Sequence, residues 1–131
     1  MKNRIRRIVT ATLVVLACTV PTFVAHAAQK PLIGISKIVS HPALDAVEKG
    51  IQDELAAQKI AATYDLQNAN GDINTAASIA NKFKSEKVTL AVGIATPTAQ
   101  SLVKNLKDIP VVFSAVTDPV KAGLVSSLKK G

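Results

Sequence analysis

His41, Ser114 and Asp118 are the residue types of a nucleophilic triad, and Asp45, Asp65 and Asp118 are the carboxylates that could hold a metal. Spacing supports neither chemistry. No G-x-S-x-G elbow frames a serine, and no Walker loop or G-x-G-x-x-G offers a phosphate cradle. The three carboxylates lie too far apart along the chain for their convergence to be read. His41 reads as a capping or partly exposed histidine rather than a base. The expectation is a non-enzyme without catalytic residues, metal or cofactor.

A different pattern recurs three times. His41-Pro42, Thr96-Pro97 and Asp118-Pro119 each follow an apolar run and place proline at an expected first helical position, where its fixed φ helps and its missing N–H costs nothing. Thr96 and Asp118 are also suitable N-caps, because a side-chain oxygen can accept an orphan backbone N–H. Small hydroxylated residues gather at the same places: Ser36 and Ser40 at the first, Thr96, Thr98 and Ser101 at the second, Ser114 and Thr117 at the third. Converging helix N-termini present free N–H groups and partial positive charge, which suits a small anion such as a carboxylate.

The elements that must position these junctions follow from hydrophobic texture. Apolar runs at Leu32–Ser36, Val88–Ile94 and Val111–Val116 read as strands buried on both faces of a parallel sheet. Ala62–Gln67 alternates Tyr64 and Leu66 with polar residues, as an edge strand with one wet face would. Helical spacing links Leu44, Val47, Ile51 and Leu55; Ile73, Ala76, Ala80 and Phe83; Ala99, Leu102, Val103 and Leu106; and Val120, Leu124 and Leu128. The expected order is β-α-β-α-β-α-β-α. Right-handed crossovers then give a three-layer, doubly wound α/β lobe with a parallel sheet in the order 2-1-3-4. All three junctions fall at carboxyl ends of strands one, three and four, beside the switch point between strands one and three. Tyr64, on an edge strand, is left out of the site.

Composition narrows the class further. The chain has 131 residues, 48% hydrophobic and 3% aromatic, with a formal charge of +7. One cysteine, Cys18, excludes a disulfide framework, and so few aromatics argue against a nucleic-acid stacking platform. Residues 1–27 hold Lys2, Arg4, Arg6 and Arg7, an apolar run from Ile8 to Val20, and Ala25-His26-Ala27. These are the three parts of a secretory signal peptide. Cleavage after Ala27 would leave twelve cations against nine anions, so the basicity belongs to the leader and nucleic acid is not expected as a partner. A competing lipobox, Val15-Leu16-Ala17-Cys18, would lipidate Cys18; the residue before Ala17 is large for such a site, and soluble export to the periplasm is the expectation.

Three blocks then carry a resemblance: Pro31–Asp45 (PLIGISKIVSHPALD), Val92–Gln100 (VGIATPTAQ) and Pro110–Pro119 (PVVFSAVTDP), followed by Ala122–Val125. Together they resemble the ABC-transporter substrate-binding proteins of the tryptophan-binding type. The resemblance implies a type I periplasmic-binding fold, two α/β lobes closing on a ligand that is often an aromatic amino acid, and ABC permease subunits as partners. It implies ligand contacts around Ser40 and His41, around Ala95, Thr96, Pro97 and Thr98, and around Ser114, Ala115, Thr117 and Asp118. Thr96 and Thr98, with their backbone N–H groups, would take the ligand carboxylate; Asp118 would face its ammonium or cap its own helix. Residues 28–131 are expected to form the N-terminal lobe alone, as in an N-terminal fragment. The other classes in play are an exported flavodoxin-like enzyme and a one-lobe sensor or interaction domain.

Overall fold

The computed structural model describes residues 29–129; the signal peptide and Cys18 lie outside the described residues. Strand β1 (Leu32–Lys37) is followed by α1 (Pro42–Ala57), β2 (Thr63–Asn68), α2 (Ile73–Glu86), β3 (Leu90–Ile94), α3 (Thr96–Asn105) and β4 (Val111–Ser114). The four strands form one sheet in the order β2-β1-β3-β4, every pair parallel. The doubly wound order expected from the crossover rule is the order present.

Alternate side chains of β1 and β3 feed two cores. Ile33, Ile35, Val92 and Ile94 face α1, whose Leu44, Val47, Ile51 and Leu55 pack on them. The opposite face is covered by α2 and α3, with Ala76, Ile79, Ala80, Phe83, Leu102 and Leu106 in its core. Phe83 is fully buried and lies over Gly34, where any Cβ would come within 2.8 Å of the ring. The glycine in β1 makes room for that aromatic. Ile73 does not belong to the buried stripe of its helix: as the first residue of α2 it stands 64% exposed, and Ile79 takes the core position.

Two expectations are corrected here. The apolar run Val111–Val116 is not a strand buried on both faces. β4 lies at the edge, none of its residues is fully buried, and Val112 is 50% exposed; an edge strand lacks the second neighbour that completes burial. The fourth helix, expected from Val120, Leu124 and Leu128, is also absent among the described residues. Asp118-Pro119 opens a single turn, closed when the Gly123 N–H reaches Val120 O at 3.0 Å and the Leu124 N–H reaches Pro119 O at 2.9 Å. Gly123 has φ +70°, the left-handed residue of a helix-stop motif. Leu128, 82% exposed, has no apolar surface to cover.

Candidate functional site

The three junctions start level. Lys37 at the end of β1 is paired with Ile94 at the end of β3, and Ile94 with Ser114 at the end of β4. The connections that follow therefore leave the same rim of the sheet. From β1 the chain turns to α1 on one face, and from β3 to α3 on the other. The crevice between them is the switch point at which open α/β sheets bind ligands.

At the first junction His41 is the N-cap of α1, its Nδ1 accepting the Ala43 N–H at 3.2 Å, and Pro42 takes the first helical position as expected. Ser40 and His41 are exposed. The Ser40 hydroxyl donates to Asp45 at 3.0 Å.

The second junction differs from its expectation by one residue. Helix α3 begins at Thr96, so the N-cap is Ala95, which has no side chain to offer, and Pro97 is at the second position. Thr96 is not the cap. Ala95 holds φ 82°, ψ 156°, a region nearly confined to glycine and costing on the order of 1–3 kcal/mol for other residues. Its N–H donates to Ser114 O at 2.9 Å, tying the second junction to the third. Thr98 is fully buried and donates its hydroxyl to Ile94 O at 2.7 Å and Ala95 O at 2.9 Å. Its side chain is therefore engaged by the helix start. The backbone N–H groups of Thr96 and Thr98 find no acceptor among the described residues. Pro97 has none to satisfy and Thr98 is buried, so the first turn of α3 presents one part-exposed free donor, the Thr96 N–H.

At the third junction Ala115 is left-handed, φ 55°, and exposed, as is Thr117; Ser114 is half-buried. Asp118 caps its turn: Oδ1 accepts the N–H groups of Val120 at 3.1 Å and Lys121 at 3.0 Å, and Oδ2 lies 3.7 Å from Lys121 Nζ. The Gln100 side chain donates to Ala122 O at 3.0 Å, holding this turn against α3.

Sequence reasoning missed three features of this rim. Ala95 and Ala115 are the strained backbone positions, and alanine carries no signal of positive φ. Lys37 bonds Asp45 at 2.6 Å and Glu48 at 3.2 Å; a lysine closing an apolar strand, with acids three residues apart on the next helix, was the available sign. Ser36 is buried, with a hydroxyl that finds no partner among the described residues.

The model for ABC transporter substrate-binding proteins matches residues 32–131. The chain belongs to that family. A tyrosine-binding protein of Clostridioides difficile (strain R20291) is 47% identical over 102 residues, 75% of this chain and 30% of its own. The solved structure of a conserved domain protein from Vibrio cholerae superposes with a TM-score of 0.75 at 45% identity, over 76% of this chain and 35% of that one. The ABC domain in complex with L-Trp from Streptococcus pneumoniae gives 0.74 at 41%, over 77% and 35%. This family member thus spans about a third of the length of the relatives it matches. Its rim supplies exposed polar groups, the unpaired N–H of Thr96 and a helix N-terminus. That is chemistry for holding a small anion.

Proposed function

We propose that residues 28–131 form the N-terminal lobe of an exported substrate-binding protein that reads one side of an aromatic amino acid for an ABC importer. The observation that carries this reading is the start of α3: a free, part-exposed Thr96 N–H at a helix N-terminus, set by a strained Ala95, beside the switch point of the sheet. A ligand carboxylate there meets the positive end of the helix. Thr96 contributes its half-exposed hydroxyl. Ser40 and His41 line the α1 side of the crevice, and Ser114, Ala115, Thr117 and Asp118 the β4 side; Asp118 would face the ammonium with Oδ2, in place of its pairing with Lys121. Relatives that bind tyrosine and L-Trp support an aromatic amino acid as the ligand class. The role is binding rather than catalysis, and permease subunits are the protein partners.

The signal-peptide pattern over residues 1–27 supports delivery to the periplasm with Ala28 as the first residue and Cys18 removed. Intact mass of the exported protein tests this; a lipidated Cys18 would overturn it.

A single lobe offers one wall, whereas tight sites bury about 70–90% of a small ligand. Water left on the carboxylate weakens each contact by screening. Binding no tighter than about millimolar, roughly −4 kcal/mol, is expected. Titrating the 28–131 chain with L-tyrosine and L-tryptophan by amide NMR tests the reading. The Thr96 and Thr98 amides should shift most. Shifts confined to other regions would overturn the site, and micromolar binding by a monomer would overturn the one-wall argument.

A further inference from the structure

Four residues, Ile38 to His41, join β1 to α1 and carry two of the proposed contacts. Both flanks of this loop are tied by one ammonium. Lys37, the last residue of β1, donates from Nζ to Asp45 Oδ1 at 2.6 Å and to Glu48 Oε1 at 3.2 Å. Asp45 in turn accepts from the Ser40 hydroxyl, and the N–H groups of Leu44 and Asp45 close on His41 O at 2.9 and 2.8 Å. The side chains of Lys37 and Glu48 are each only 14% exposed. An ammonium at that depth is disfavoured by desolvation unless it is held by opposite charge.

The cluster is poorly arranged as a device for stability alone. Of the two carboxylates facing the ammonium, Asp45 is 41% exposed, and Glu48 Oε2 is buried without a partner among the described residues. A buried pair of this kind is often no more stabilising than apolar side chains of similar volume. It does tie the strand end, the loop hydroxyl and the first two turns of α1 to a single point.

We propose that Lys37 is a positioning residue: its ion pairs with Asp45 and Glu48 fix the Ile38–His41 loop, and through Asp45 the hydroxyl of Ser40, at the rim where the ligand is read. The inference rests on the proposed function and adds to it a residue that itself touches no ligand. Lys37→Met keeps the length of the stem and removes the charge; Lys37→Arg keeps the charge and both bonds.

Amide hydrogen exchange and titration with L-tyrosine, both followed by NMR on the 28–131 chain, form the test. In Lys37→Met, protection at Leu44 and Asp45 should fall about tenfold relative to α2, the size expected when a charge-assisted bond is lost. The L-tyrosine shifts at Ser40 and His41 should shrink while those at Thr96 persist, and Lys37→Arg should restore both. Should Lys37→Met fail to fold, Asp45→Asn carries the same expectation. Unchanged protection overturns the proposal, as does loosened protection with undiminished shifts at Ser40 and His41. A wild-type chain silent to L-tyrosine at every amide overturns the proposed function and this inference with it, and that silence distinguishes the two failures.

Discussion

At Gly93 the backbone of α3 comes so near β3 that an added Cβ would meet Ala99 Cα at 2.7 Å and Ala99 N at 2.9 Å. Those are main-chain atoms and cannot swing aside. Gly93→Ala should therefore destabilise the lobe by about 1–3 kcal/mol, as overpacking does, readable as a lower midpoint in urea. Two residues on, the sign reverses. Ala95 holds φ 82°, which glycine adopts freely. Ala95→Gly should raise stability by about 1 kcal/mol, the relief of strain exceeding the added freedom of the unfolded chain. A lower midpoint for that variant would mean that Ala95 is not strained. Neither residue announces itself in the sequence. The Thr96-Pro97 pair revealed that a helix starts there, and the reason its first donors stay free lies one position earlier, in a backbone angle.

Of the three expected helix starts, that of α1 is legible in the sequence, with Pro42 at its first position, whereas α3 begins one residue earlier than expected; the cap of α2 is not among them. Asp72 caps α2, accepting the Asn74 N–H at 2.8 Å and the Thr75 hydroxyl at 3.0 Å, and these bonds hold its carboxyl below the usual range. The bond from Lys37, then that from Ser40, does the same for Asp45. A carboxyl with a lower pKa folded than unfolded binds fewer protons in the native state. Its contribution is complete above the unfolded value of about 3.9 and fades as pH falls through the folded one. Lys37 and Lys82 are raised, chiefly by their bonds to Asp45 and Asp65; their contribution is complete below the unfolded value of about 10.4 and lost above it. Thermal melts should therefore be flat from about pH 5 to 9 and fall below about pH 4. Asp72→Asn, which still caps, should reduce the acid loss; an identical profile would remove Asp72 from the account. What the sequence hid at this scale was length and neighbourhood. Asp118-Pro119 looks like a helix start, but the chain makes only a single turn there, which Gly123 ends. The run Val111–Ser114 has the composition of a strand buried on both faces, and its partial exposure follows from its place at the edge of the sheet.

Across the whole molecule the two faces of the sheet are unequal. Helix α1 has no fully buried residue, whereas α2 buries Ala76, Ile79, Ala80 and Phe83. Local opening follows buried apolar contact, so α1 amides should exchange before those of α2 in native-state hydrogen exchange. Equal protection would show that partial packing on Ile33, Ile35, Val92 and Ile94 suffices. The layered architecture could be read from periodicity because continuous and alternating runs differ; the unequal covering could not, since helical stripes do not tell how deeply they sit. The level rim formed by Lys37, Ile94 and Ser114 has a consequence for how this protein can change. Residues beyond that line, such as Ser40, His41 and Thr117, are exposed and carry little of the core, while Gly93, Ala99 and Leu102 lie behind it, buried. Under the proposed function, ligand preference and folding fall to different residues. A library randomised at Ser40, His41 and Thr117 should keep protease resistance in most members, and one randomised at Gly93, Ala99 and Leu102 should lose it in most. A lobe divided in this way can drift toward a new amino acid by single substitutions without first becoming unstable.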